Sequence, residues 1–326
     1  MSSRHVQRGG AILLLGAAVM LPATAAAAAG SVSPWIRPPG RSPSSDVRVA
    51  SADEAPSGAE RLSRGQIMAG IQSPLAAATV RCSSPSSTHR RLAARLARGI
   101  GAALEGRSSI VGLAIADRRT GITCGANSGW QFASASVVKV TILGALLRKL
   151  EAEHRHLTPA QVTLTTEMIT ESSNAAASAL WAEVGRSHLQ RFLDLARMIH
   201  THLGQGGYWG LTQITAHDEL TLLRLLTSRN HVLDKAARHY VLSLMARVIP
   251  SQRWGTPAGV PAGVSVHVKN GWLPLATYGW RVNSIGSFSG DDRNYMIVIL
   301  TKNNPTMDYG VDTIEDAAEV INRELG

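Results

Sequence analysis

The chain is poor in aromatic residues, which make up 5% of its 326 positions, with only 3 Phe and 5 Tyr. A core must therefore be built from Ala, Val, Leu and Ile, and a hydrophobic share of 44% is ample for one. Cysteine occurs only at Cys82 and Cys124, too few for a thiolate metal cluster or a disulfide-rich scaffold. No cluster of Lys and Arg interleaved with aromatics accompanies the formal charge of +10, which argues against a nucleic-acid partner. No internal repeat is found, and lysine is scarce, with five in the whole chain.

At the start, Arg4 and Arg8 precede the apolar run AILLLGAAVMLPA, which ends in TAAAAAG. Residues 1–29 are expected to be a secretory signal peptide cleaved between Ala26 and Ala29, giving a secreted protein. Retention as a membrane anchor is the alternative, disfavoured by Pro22 and the alanine-rich end. No cysteine stands directly after the run to carry a lipid. Export places Cys82 and Cys124 in an oxidising compartment, where they are expected to pair as a structural disulfide. Loss of Arg4 and Arg8 leaves 31 basic against 23 acidic residues, a balance suited to an anionic cell wall or outer membrane face. Residues 30–81, rich in Ser, Pro and Gly, read as a disordered linker with at most one short helix near Arg61 to Ile71. The folded domain then spans 82–326 and is expected to be a monomer.

Within it, Leu92, Leu96, Ile100 and Leu104 recur every fourth residue and predict a surface helix. Ile110 to Ala116 and Ile122 to Gly125 flank a turn and predict a strand pair. Helical tendency runs from Thr158 to His200 with a polar break at Glu171 to Asn174. Two further helices are predicted at His217 to Leu226 and Asp234 to Val248. VSVHVKNGW alternates, placing His267, Lys269 and Gly271 on one face, and Trp280 to Phe288 with Tyr295 to Thr301 make another hairpin before a helix from about Asp312. The predicted fold class is α/β of the α+β type: a mostly antiparallel five-stranded sheet with terminal helices on one face and a helical subdomain on the other.

The segment FASASVVKVTILGALLRKL, from Phe132 to Leu150, is apolar around most of its circumference and predicts a buried helix, yet it carries Lys139. Ser136 lies three residues earlier, on the same helix face. With Ser134 as N-cap, Ser136 would sit in the first turn, where free N–H groups favour developing negative charge. Burial lowers a lysine pKa, and a neutral amine can take a proton from serine. The same residues are compatible with an ordinary capped helix.

Two later triplets, Ser172-Ser173-Asn174 and Lys269-Asn270-Gly271, follow Ser136-Val137-Val138-Lys139 in order. Together with FASASVVKV, MITESSNAAA and VKNGW, they make the chain resemble the penicillin-recognising serine enzymes, in particular the class A β-lactamases, from about Arg91 to Glu324. The resemblance implies that Ser136 attacks an acyl carbonyl with Lys139 as base. It also implies that Ser172 passes a proton to the leaving nitrogen, supported by Lys269. Asn174 would hold the substrate amide, Asn270 and Lys269 its carboxylate, and the backbone N–H groups of Ser136 and Trp272, beside Gly271, the oxyanion. The implied substrate is a β-lactam or a peptidoglycan-like D-alanyl peptide or ester, and no cofactor or metal is implied.

The sequence departs from the family pattern in four places. Ser173 stands for an aspartate, and Asn270 for a threonine or serine. Ser136 and Ser172 are closer in sequence than in typical members. The segment from Met198 to Ala216, where the family carries the glutamate that activates the hydrolytic water, holds no Asp or Glu. Acylation with slow deacylation is therefore expected. The alternatives are a D,D-carboxypeptidase- or esterase-like enzyme and a non-catalytic cell-wall or β-lactam binding module. His267 lacks a carboxylate partner in sequence, and His200 and His202 lack further matched metal ligands.

Overall fold

A computed structural model describes residues 79–276, 279–290 and 292–326. The residues expected to form a signal peptide, and nearly all of those expected to form the linker and its short helix, lie outside the described residues. Strands β1 (Arg81–Ser83), β2 (Ile110–Asp117), β3 (Thr123–Ala126), β6 (Ser265–Pro274), β7 (Trp280–Gly290) and β8 (Arg293–Asn304) form one antiparallel sheet in the order β1-β3-β2-β8-β7-β6. A small second pairing joins β4 (Phe132–Ala133) to β5 (Gln213–Ile214). The helices are α1 (Arg90–Leu104), α2 (Val138–Ala152), α3 (Pro159–Thr166), α4 (Asn174–Val184), α5 (Arg186–Ala196), α6 (Ala216–Thr227), α7 (Lys235–Ala246) and α8 (Met307–Leu325).

Alternation along the central strands explains the two cores. Leu113 and Ile115 of β2 and Ile297 and Ile299 of β8 pack against Leu96 and Ile100 of α1 and Ile314 and Ile321 of α8. Ala114, Ala116, Val298 and Leu300 point the other way, into the cluster built on α2, α4, α6 and α7. Both sheet faces are covered, so these strands read as continuous apolar runs. From Val138 to Leu147, α2 is buried on every side, as its sequence requires.

The sheet has six strands where five were expected. The addition is β1, whose three residues are too short to show an alternation. Cys82 faces Cys124 across the β1–β3 ladder, and the two form a disulfide. Closing a loop with a sequence separation of 42 residues stabilises a domain by at most about 4 kcal/mol through the entropy removed from the unfolded chain. Cys82→Ser is expected to lower the melting temperature by several degrees, measured by calorimetry, with the fold retained.

Candidate active site

The Ser136 segment does not enter its helix as expected. Ser134 has αR backbone geometry and its side chain caps nothing; its Oγ donates to Ala135 O at 3.2 Å. Ala135 follows with φ 47°, a left-handed conformation costly for a residue with a Cβ. A 3-10 turn over Ala135–Val137 carries Ser136, and α2 begins only at Val138. The turn is held from three directions. Ser134 N donates to Thr212 O at 2.8 Å, and the buried Asn283 of β7 donates to Ala133 O and Ser134 O at 2.9 and 3.2 Å. On the third side Gly271 of β6 lies so close that a Cβ there would stand 2.7 Å from Ser136 N.

The polar break after α3 is a π-helical turn, Glu167–Glu171, that throws Ser172 into a left-handed conformation at φ 60°. Such turns concentrate at functional sites. Ser173 then caps α4, accepting from Ala176 N at 3.2 Å. Serine thus supplies the cap where the family carries aspartate, and Asn174 starts the helix.

Three elements meet at Ser172. Lys139 Nζ, fully buried, donates to Ser172 O at 2.6 Å, Asn174 Oδ1 at 2.8 Å and Ser172 Oγ at 3.2 Å. Lys269 Nζ, equally buried, donates to the same Ser172 Oγ at 3.0 Å and to Asn270 O at 3.0 Å. Burial lowers the Lys139 pKa to about 7. Lys269 is held well below its ordinary value, first by burial and then by the Lys139 charge. One hydroxyl therefore lies within reach of two amines that are easily deprotonated. Ser136 Oγ makes no hydrogen bond among the described residues. Lys139 faces Ser172 and Asn174, and the expected direct bond to Ser136 is not formed.

Ser136, Ser172, Asn174 and Trp272 line one cleft of about 740 Å³, together with Ala135, Glu171, Ser178, Gln252, Leu273 and the stretch from Gly206 to Leu211. Within that stretch Trp209 lies with its ring centroid 4.8 Å from Lys139 Nζ, and its indole N–H donates to Ser178 Oγ at 3.1 Å. The sequence reading missed Trp209; the only signal was an aromatic pair inside the glycine-rich HLGQGGYWGLT.

Asn270 departs from its expected role. Its side chain is buried, and its Nδ2 donates to Gln252 O and Trp254 O at 2.9 and 2.8 Å. Neighbouring residues on a strand point to opposite faces, so when Lys269 faces Ser172 the Asn270 amide must face away. It braces the 252–254 segment, with Trp254 against Trp272 at 5.9 Å between ring centroids. His267 is near Ser287 O at 3.4 Å and borders a different cavity. Glu183 and Asp194 lie on α4 and α5. Glu171 is the acidic residue among those lining the cleft, exposed at its rim. Among the described residues, a grouping of metal-ligand side chains lies outside the cleft lining, where His200 stands beside His217 and Asp218 rather than His202.

No curated protein sequence matches the chain. Among solved structures, it is similar to PBP-A at 17% identity, covering 71% of this chain and 96% of that one with a TM-score of 0.62. A mutant of PBP-A in an acyl-enzyme complex with penicillin G gives 16% identity, 71% and 95% coverage and a TM-score of 0.60. A beta-lactamase from Sphaerobacter thermophilus gives 19% identity, 70% and 97% coverage and a TM-score of 0.62. These likenesses show a shared fold. A model of the beta-lactamase enzyme family matches residues 158–325, a span that includes the Ser172 and Lys269 triplets and begins after Lys139. On that match the chain belongs to the beta-lactamase enzyme family.

Proposed function

We propose that this β-lactamase-like hydrolase is an exported serine enzyme that forms an acyl-enzyme on Ser136 with β-lactams or D-alanyl peptides or esters, and releases it slowly. The observation that carries the reading is Ser172 Oγ, 3.2 Å from Lys139 Nζ and 3.0 Å from Lys269 Nζ, in the cleft that Ser136 also lines. Lys139, once it has lost a proton, gives up one of its three donated bonds, turns its lone pair to Ser136 and takes the Ser136 proton while Ser136 Oγ bonds to the acyl carbon. Backbone N–H groups of Ser136 and Trp272 receive the negative charge on the former carbonyl oxygen. The C–N bond then breaks, Ser172 gives its proton to the leaving nitrogen, and a lysine amine restores that proton. Asn174, exposed at the head of α4, offers its amide N–H2 to the substrate while its Oδ1 holds Lys139. An acyl-enzyme with penicillin G in a protein of the same fold is consistent with this reading.

The surroundings of Lys139 support the slow-release part of this reading. Its hydrogen-bond partners are two oxygens of Ser172 and one of Asn174, and the aromatic ring of Trp209 covers it; among the described residues no carboxylate is bonded to the amine to help activate a water. Mass spectrometry during incubation with penicillin G should show a mass increase equal to the drug on the Ser136 peptide, built up rapidly and lost slowly. With nitrocefin the same behaviour gives a burst and then a low steady rate. Absence of any adduct at millimolar drug from folded protein overturns the proposal in favour of a binding module. Rapid turnover without accumulation overturns the slow-release part.

The base also sets the pH dependence. Below a pKa of about 7 Lys139 is increasingly protonated and cannot accept the serine proton. The acylation rate is therefore expected to rise roughly tenfold per pH unit below that value and to level off above it. Stopped-flow acylation across pH 5.5 to 9 measures this, and a midpoint near the ordinary lysine value would exclude Lys139 as a base made neutral by burial.

A further inference from the structure

We propose that His200, His217 and Asp218 form a binding site for one first-row transition cation of the Zn2+ class, at the foot of the loop that walls the cleft. The three residues come from two segments: His200 follows α5, while His217 and Asp218 open α6. Ligand atoms from all three lie within 4.8 Å of one another. Asp218 is fully buried, and its Oδ2 is committed, accepting from His200 N and Thr201 Oγ1 at 2.9 Å each. That leaves Oδ1 presented to the imidazoles, with His200 Nδ1 and His217 Nδ1 each 3.4 Å away.

These distances are long for hydrogen bonds between imidazole and carboxylate, which close to about 2.7–2.9 Å when charged. They match a different arrangement. Two ligand atoms bound to one tetrahedral Zn2+ at about 2.0–2.1 Å stand about 3.4 Å apart. The imidazole rings are nearly perpendicular, at 87°, with centroids 6.2 Å apart, so a small rotation of each exposed side chain brings both Nδ1 atoms to a common ion without steric conflict between the rings. Both side chains are more than half exposed, which leaves room for water in the remaining coordination position. Two imidazoles and one carboxylate suit Zn2+ and its neighbours and are unsuited to Mg2+ or Ca2+, which prefer oxygen ligands. The carboxylate already has the second-layer support that orients metal ligands, from Thr201 and the His200 backbone.

The placement gives the ion a consequence. His200 and His217 bracket the segment that carries Trp209 over Lys139 and Thr212 O onto Ser134 N. An ion joining its two ends would restrain that segment, a coupling independent of whether acylation occurs. Untagged full-length protein is titrated with Zn2+ by calorimetry, and with Co2+ by visible absorption. The expected result is one ion per chain, with Co2+ bands of the tetrahedral type. The His200→Ala/His217→Ala variant should bind at least tenfold more weakly, while His202→Ala, on an exposed neighbour, binds as the unchanged protein does. Amide hydrogen exchange across residues 198–215 should slow on adding Zn2+ in the unchanged protein and not in the double variant. Because both histidines are exposed, circular dichroism should show the double variant folded. Lack of saturable uptake of one ion, or equal uptake by the double variant, overturns the site. Uptake without any change in exchange overturns the restraint on the loop.

Discussion

Ser136→Ala is expected to abolish the penicillin adduct and to lower any turnover of ester, amide or lactam by at least about 10³-fold, equivalent to about 4 kcal/mol of transition-state stabilisation. The substitution removes one oxygen that has no hydrogen-bond partner among the described residues and sits half-buried at the cleft. The fold and melting temperature should therefore change little, and a loss of chemistry with retained stability separates a nucleophile from a structural serine. The oxyanion-binding N–H of residue 136 survives in the variant, so reversible binding of the drug should persist. Activity that survives Ser136→Ala would move the nucleophile elsewhere and sink the assignment. Retained binding without chemistry in both the unchanged protein and the variant would favour the binding module.

Gly271→Ala is expected to lower the acylation rate by about 10²-fold and to destabilise the domain by about 1–3 kcal/mol, the scale of overpacking in a tight interior. The new methyl would stand 2.7 Å from Ser136 N, 2.9 Å from Ser134 O and 2.9 Å from Val137 N. All three are backbone atoms of the nucleophile turn, whose ends are tied to Thr212 and Asn283. They cannot yield as the end of a flexible side chain would. The strand must move away or the turn must shift, and either displaces Ser136 N relative to Trp272 N, which follows Gly271 directly. The measurement is acylation rate beside thermal stability. A rate unchanged within twofold would show that the spacing of strand and turn is not critical to the reaction.

Much of the fold was legible because local periodicity and layer position coincide. The four-residue spacing of Leu96, Ile100 and Leu104 places them on the buried stripe of α1, and the unbroken apolar circumference of α2 reflects a helix enclosed on all sides. The strands not foreseen, β1, β4 and β5, have only two or three residues each: β1 is positioned by its ladder and disulfide to β3, and β4, at the start of the segment read as helix, by its pairing with β5, which no local pattern encodes. The nucleophile turn was harder, because whether Ser134 caps a helix or precedes a strained 3-10 turn depends on Thr212 and Asn283, far away in sequence. Asn270 teaches a narrower lesson. The alternation of VSVHVKNGW already put Lys269 and its neighbour on opposite faces, while the family resemblance assigned both to the substrate, and the strand geometry prevailed.

By itself the sequence determined the order of the three triplets, the burial of a lysine three residues after a serine, the two-faced sheet and the shortage of acid between Met198 and Ala216. These are properties of short windows, where periodicity and composition act directly. Only the tertiary structure decided that Ser172 Oγ stands between Lys139 and Lys269, that Trp209 covers Lys139, and that His200 meets His217 and Asp218 instead of His202. Each of these depends on how loops and elements distant in the chain pack over a common core. Side-chain distances of about 3 Å are set by that packing and not by spacing along the chain.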